Sequence, residues 1–170
     1  SWGGGVQVQS GVATLDAVEV RDCVASSDRH SHGGGMQVSG GTSMMIDSSV
    51  INCTALHGGG THALLYCATC PFRLLNVRLL IDTAPLGAAI YIDAVGSVFS
   101  AALVHIAPDC AAPSSASLIH SRQASSQRAL PGLHIDACPG ATAPRIDTLL
   151  QSCADSGICG QGARCIDGLP

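Results

Sequence analysis

The stretch HSHGGGMQV, residues 30–38, decides how this chain folds. Three glycines between two histidines and an alternating run are compatible with a phosphate-binding loop, a metal-binding loop or a structural corner. The pattern recurs as SWGGGVQV from Ser1, LHGGGTHAL around Gly58 and a degraded PLGAAIYI around Gly87. Successive copies are separated by 30, 25 and 29 residues, and periods of about 20 to 50 residues are typical of stacked repeat architectures. A phosphate-binding loop serves one site, so the recurrence favours a structural corner.

Short alternating segments follow each glycine cluster. Val6–Val8, Met36–Val38 and Ile90–Ile92 are each followed by a Gly or Ser turn and a second apolar segment. A period of two indicates half-buried strands rather than helices. The sequence therefore predicts an all-β fold, a right-handed parallel β-helix of about four to five coils over residues 1–140.

The glycines are predicted to form the corners of the coils, where the absence of a Cβ lets the backbone turn and lets neighbouring coils approach. These corner residues are Gly3, Gly4, Gly5, Gly33, Gly34, Gly35, Gly58, Gly59, Gly60 and Gly87.

A third segment of each coil aligns residues 20–25 with 50–55 and 79–84, which places Cys23 and Cys53 at equivalent positions. Adjacent strands lie about 4.8 Å apart, and a disulfide tolerates Cα separations of about 4.4 to 6.8 Å. A Cys23–Cys53 disulfide between coils is therefore predicted.

The second half of the chain is less regular. Segments 117–120 and 132–135 are candidates for a fifth coil, Cys110 and Cys138 are further disulfide candidates, and a proline-rich linker is expected over residues 141–152.

The cysteine content points to an exported protein. Nine cysteines in 170 residues indicate an oxidising compartment, and Asn52-Cys53-Thr54 is a glycosylation sequon at Asn52. The chain has no lysine and a net charge of −4, which argues against a nucleic-acid partner. The chain shows neither a signal peptide nor an apolar run of the roughly 18 to 20 residues that span a membrane, and we expect a fragment of a longer extracellular or cell-surface protein.

The repeated pattern around GGG resembles the GGA-I and FxxN repeats of chlamydial polymorphic outer-membrane proteins. The resemblance covers roughly residues 1–110 and departs in having Val20 and Val50 in place of the phenylalanine of FxxN. It implies a surface-exposed, adhesive or structural role and no catalytic residues.

The segment CADSGICGQGARCIDG, residues 153–168, resembles the first half of an EGF-like module. The resemblance implies a truncated module over residues 153–170 with a Cys153–Cys165 disulfide, and it leaves Cys159 without its partner. The residues before Cys153 do not match the acidic run of the calcium-binding form, so no calcium is predicted.

The histidines and the CxxC motif allow chemical alternatives. His32 and His57 would stack in neighbouring coils, and with His30 or His62 they could hold a metal, but a stable zinc site generally needs three or four ligands. We therefore expect an exposed structural stack and no metal or other cofactor. Cys67-Ala68-Thr69-Cys70 has redox spacing, yet its strand-rich context favours a local disulfide in an inserted loop.

The expected function is non-enzymatic: a rigid segment of a large, possibly filament-forming assembly whose partners are neighbouring domains and other subunits. The alternative is a glycan-binding or polysaccharide-cleaving β-helix. The available carboxylates are Asp16, Asp47, Asp82 and Asp93, and none forms a close pair in the sequence, although Asp16 and Asp47 would roughly match between coils. Trp2 and Tyr91 are the aromatic residues predicted to face outward, where they could stack on sugars.

Overall fold

The fold is an all-β solenoid, seen in a computed structural model that describes residues 4–26, 31–65, 71–94, 99–111, 116–121, 133–138, 145–148 and 164–166. Within these ranges the chain forms strands, turns and bends and contains no helix. Accordingly, no helix long and apolar enough to cross a membrane occurs in the described residues.

The strands follow one another in sets of three. The first set is β1 (Val6–Val8), β2 (Val12–Asp16) and β3 (Glu19–Arg21), and the second is β4 (Met36–Val38), β5 (Thr42–Ile46) and β6 (Ser49–Ile51). The third is β7 (Thr61–Leu65), β8 (Phe72–Leu75) and β9 (Arg78–Leu80), and the fourth is β10 (Ile90–Ala94), β11 (Phe99–Ala102) and β12 (His105–Ala107). The remaining strands are β13 (Ser117–Ser121), β14 (His134–Ile135), β15 (Arg145–Thr148) and β16 (Arg164–Ile166).

Equivalent strands of successive sets pair in parallel and build three sheets. The sheet orders are β1-β4-β7-β10-β13-β15-β16, β2-β5-β8-β11 and β3-β6-β9-β12-β14. This arrangement confirms the predicted parallel β-helix, with about three turns. Four sets of three strands, β1–β12, make up these turns, and beyond β12 the described strands no longer repeat the set of three.

The irregular half of the chain still adds strands to these sheets. The candidate fifth-coil segments form β13 and β14, which pair with β10 and β12. Two further strands, β15 and β16, extend the first sheet from within the segments assigned to the linker and to the EGF-like resemblance.

The core lies between the three sheets and is filled by alternate residues of the strands. In β8, for example, Phe72 and Leu74 are buried while Arg73 and Leu75 are exposed. Equivalent residues stack from coil to coil, as Phe72 does on Phe99, with ring centroids 5.6 Å apart. The period of two in the sequence is thus the alternation between the core and the outer surface.

The corners of the coils use left-handed backbone conformations. The corner between the second and third sheets is formed by Ala17, Asp47, Asn76 and Leu103. The corner after the third sheet is formed by Asp22, Asn52 and Ile81. All seven residues have φ between 47° and 55°. Asn and Asp tolerate this conformation better than most residues because their short polar side chains bond locally. Two pairs also bond between coils, Asn76 Nδ2 donating to Asp47 Oδ1 at 2.6 Å and Asn52 Nδ2 to Asp22 Oδ1 at 2.7 Å.

The first glycine of each copy forms the third corner. Gly33, Gly58 and Gly87 have φ of 64°, 65° and 63°. The following glycines allow close stacking: a Cβ on Gly34 would lie 2.5 Å from the carbonyl oxygen of Gly59 in the next coil. In the copies that begin at Gly33 and Gly58, GGG is therefore a corner followed by two close-packed positions. Gly3 lies outside the described residues.

Asn76 tests the corner directly. Asn76→Val places a β-branched residue at φ 51°, where the left-handed conformation costs roughly 1–2 kcal/mol, and it removes a hydrogen bond worth about 1 kcal/mol. We expect the free energy of unfolding in urea to fall by about 2 kcal/mol or more. Asn76→Gly loses the same bond without the backbone strain and should be distinctly milder, and equal losses in the two variants would contradict this account of the corner.

Candidate functional site

A column of polar and aromatic side chains runs along the outer face of the first sheet. Successive ladder partners in this column are Gln7, Gln37, His62, Tyr91 and His120. The rings of His62 and Tyr91 stack with centroids 4.9 Å apart, and those of Tyr91 and His120 stack at 5.0 Å. Gln7 Nε2 donates to Gln37 Oε1 at 2.9 Å. The parallel register alone brings these residues together, although they are about 30 positions apart in sequence.

The two histidines that precede GGG pack against this column. His32 and His57 are bridge partners whose rings stack at 5.0 Å, with Leu86 in the equivalent place of the next coil. The ring of His32 lies 4.6 Å from that of His62, and the ring of His57 lies 5.3 Å from that of Tyr91. Their stacking was predicted, but both are half-buried instead of exposed. His30 lies outside the described residues.

His62, like Gln37, is almost completely enclosed in the column. It is 1% exposed, and neither ring nitrogen has a hydrogen-bond partner. Burial, followed by the neighbouring His32 and His57, lowers the pKa of His62 to about 3. Its imidazole is therefore neutral at physiological pH.

A second group of histidines lies on the outer side of the third sheet. His105 in β12 is the direct ladder partner of His134 in β14, and Asp136 follows two residues later. Asp136 Oδ1 lies 3.0 Å from His105 Nε2 and 3.2 Å from His134 Nε2. Sequence reasoning missed this group, although the likeness of LVHIA, residues 103–107, to GLHID, residues 132–136, is the signal that would have aligned the two histidines.

The predicted Cys23–Cys53 disulfide is not formed, since both residues are free thiols. The alignment of the coils is as predicted, because Val20 pairs with Val50 and Val24 with Thr54. The thiols instead contact backbone carbonyls: Cys23 Sγ donates to Arg21 O at 3.2 Å, and Cys53 Sγ lies 3.4 Å from Ile51 O and 4.0 Å from Val20 O of the neighbouring coil.

The third coil has a carboxylate at the position of these cysteines. Asp82 is 3% exposed, its Oδ1 accepts a 2.8 Å hydrogen bond from the Cys53 amide, and its buried Oδ2 has no partner. Burial raises the pKa of Asp82 to about 8, against the lowering effect of the Cys53 amide. Burial likewise raises the pKa of the Cys53 thiol to about 12.

One disulfide forms within the described residues, between Cys110 and Cys138, with Cα atoms 5.4 Å apart. It joins the chain after β12 to the chain after β14. The candidates Cys67, Cys70 and Cys153 lie outside the described residues, as does Cys159, and of Cys165 only the backbone in β16 is described.

The remaining candidates fall at separate places. Asn52 is exposed at a corner, so its glycosylation stays a prediction. Asp16 pairs with Ile46, so Asp16 and Asp47 match only roughly, with an offset of one residue, and Asp47 occupies the corner position of Ala17.

The expectation that Tyr91 faces solvent is wrong. Tyr91 does lie on the outer face of its sheet, but the imidazoles around it leave it 4% exposed. Phe72 and Phe99 belong to the core, and Trp2 and Tyr66 lie outside the described residues. The described aromatic residues therefore offer no platform on which a sugar could stack.

Comparison with known proteins adds no assignment: no protein-family profile, no curated protein and no solved structure matches this chain.

The opposite pKa shifts of His62 and Asp82 predict a specific pH profile of stability. Above pH 6.5, of these two groups only Asp82 binds a different number of protons in the folded and unfolded states, because burial raises its pKa to about 8. Stability therefore falls as pH rises towards 8, by up to about 1.4 kcal/mol per pH unit. Between pH 3.8 and 6.5 the folded state keeps the proton of Asp82 while the unfolded state binds one at His62, so the two slopes cancel. Below pH 3.8 the lowered pKa values of His62 and of Asp136, whose carboxylate contacts His105, both make stability fall with acidification.

Chemical denaturation at a series of pH values measures this profile. Asp82→Asn should abolish the loss between pH 6.5 and 8, because the buried group no longer ionises. An unchanged alkaline slope in Asp82→Asn would show that Asp82 does not carry it.

The two thiols should differ in reactivity. Cys53 is 0% exposed and has its pKa raised to about 12, whereas Cys23 is half-buried, and only the thiolate attacks an alkylating agent. Iodoacetamide at pH 8, read by peptide mass spectrometry, should label Cys23 well before Cys53, with the difference lost in denaturant. Labelling of neither residue until a reductant is added would instead restore the disulfide predicted from the sequence.

Proposed function

We propose that this protein is a non-enzymatic structural or adhesive segment of a large extracellular or cell-surface assembly, in which coils of the solenoid stack end to end. The observation that supports this most directly is the state of the first coil. Its strands β1, β2 and β3 are the terminal strands of the three sheets. All three sheets therefore present a backbone edge at the same end of the described solenoid.

At this end the described residues cover the core less completely than in the second coil. Val6 and Leu15 point inward but remain half-buried, whereas their ladder partners Met36 and Met45 in the second coil are 0% exposed. A further coil seated on β1–β3 would bury these side chains and pair the backbone edges of the three strands, and strand edges favour edge-to-edge association.

The rest of the proposal rests on sequence. The GGG copies resemble adhesive β-helical repeats of bacterial surface proteins, and residues 153–168 resemble part of an EGF-like module. The abundance of cysteine, the Cys110–Cys138 bond and the exposed sequon at Asn52 suit an oxidising, exported environment. Neighbouring domains and other copies are the expected partners.

The alternative of a glycan-binding or glycan-cleaving β-helix gains no supporting observation. The described aromatic rings are buried, as shown for Tyr91. Of the four candidate carboxylates, Asp82 is enclosed and Asp47 accepts a hydrogen bond at a corner.

A charge placed inside the first coil tests the proposal. Leu15→Lys puts an ammonium group among the inward side chains of β2, which should prevent another coil or copy from covering them. Sedimentation velocity over a range of concentrations should show reversible self-association for the unmodified chain and its loss in Leu15→Lys.

Leu103→Lys is the matched control. Leu103 is a leucine like Leu15, but it is 61% exposed and lies at a lateral corner of the fourth coil. It should associate like the unmodified chain, and circular dichroism should show that both variants keep the β fold. A chain that is monomeric at every concentration, or equal association in both variants, would overturn end-to-end stacking.

A further inference from the structure

We propose that His105, His134 and Asp136 form a binding site for a divalent transition-metal ion, with Zn²⁺ as the expected occupant. Within the described part of the chain, this is the group that brings three metal-ligating atoms within 4.8 Å of one another. The site lies between β12 and β14, on the outer face of the third sheet.

The backbone sets the position of each ligand. The ladder pairing of His105 with His134 places the two rings side by side, with centroids 5.3 Å apart. The next residue of each strand faces the core instead: Ile106 is 0% exposed, and Ile135 packs against the core cluster. Asp136 is two residues beyond His134, and residues i and i+2 of an extended chain face the same side.

The distances suit a metal ion. Zn²⁺ binds imidazole nitrogen at about 2.0–2.1 Å and carboxylate oxygen at about 2.0–2.2 Å, so two ligands of a tetrahedral site lie about 3.3–3.5 Å apart. Asp136 Oδ1 is 3.0 Å from one imidazole nitrogen and 3.2 Å from the other. An opening of a few tenths of an ångström would seat the ion between them.

The chemistry of the three side chains suits the ion too. Two imidazoles and one carboxylate are ligands that Zn²⁺ accepts, and three protein ligands leave a coordination position for water or an external group. The side chains of His105, His134 and Asp136 are 39%, 71% and 45% exposed, and because Nε2 of His105 is itself buried, an ion would approach past His134 and Asp136.

The surrounding chain holds the ligands in place. The His134 amide donates to Val104 O at 2.8 Å and the Asp136 amide to Ile106 O at 2.9 Å. Two residues after Asp136, Cys138 is bonded to Cys110. Since β14 is a strand of two residues, an ion bridging it to β12 would add a second link beside the disulfide, and fixed ligands lose little freedom on binding.

The other histidine group differs in geometry. His32, His57 and His62 meet through stacked or tilted ring faces, and they do not form a group of three converging ligand atoms. His57 therefore supplies a control residue of the same type.

Isothermal titration of the tag-free, metal-free chain with ZnCl₂ at pH 7.5, after alkylation of accessible thiols, tests the proposal. We expect one Zn²⁺ per chain. Loss of an outer hydrogen bond to a metal ligand already costs about 10- to 100-fold in affinity, so removal of a ligand itself in His134→Ala or Asp136→Asn should weaken binding by at least about tenfold. His57→Ala should bind like the unmodified chain.

Co²⁺ in place of Zn²⁺ gives a second readout, because a tetrahedral Co²⁺ site absorbs visible light strongly. The bands should appear with the unmodified chain and His57→Ala and disappear with His134→Ala, while circular dichroism shows that the exposed substitution leaves the fold intact. Absence of Zn²⁺ binding, or binding lost in His57→Ala but kept in His134→Ala, would overturn the proposal.

Discussion

Pairing between coils is the interaction on which the whole structure depends. The amides of the corner segments donate to carbonyls of the next coil, as Gly34 N does to Gly58 O at 3.0 Å and Gly60 N to Ala88 O at 2.8 Å. A single coil has no internal partner for these groups, and buried backbone groups left unpaired are costly. Each coil is therefore stable through its neighbours, and every other feature must repeat in phase with them.

The unequal repeat lengths show how that phase is kept. Val24 pairs with Thr54 at an offset of 30 residues, but His32 pairs with His57 at an offset of 25, so the difference is absorbed between these two bridges. The offset between the second and third coils changes in the same way, from 25 at Val38 and Ala63 to 29 at Ser43 and Phe72. Length changes thus fall between strands, where they leave the ladders intact, and the second falls in the segment that contains CxxC.

Two buried polar residues differ from their equivalents in the preceding coils. Asp82 replaces a cysteine of the preceding coils and His62 replaces a glutamine, and each is buried with an unpartnered atom. Burial disfavours the charged form of both groups, which raises the pKa of the acid and lowers that of the base. Asp82 and His62, at positions that hold Cys and Gln in the preceding coils, therefore make the stability of the solenoid depend on pH.

The sequence by itself determined the repeat, the strand alternation and the alignment of the coils, because these depend on local backbone preference and on a period that can be read along the chain. The glycine corner that precedes the first strand of a coil and the equivalence of Cys23 and Cys53 follow from that alignment. Only the tertiary structure decided where the side chains of each column point: the thiols contact backbone carbonyls, Tyr91 is covered by imidazoles, and His105 meets Asp136. These outcomes depend on distances of a few ångströms between residues some 30 positions apart, which no local pattern specifies.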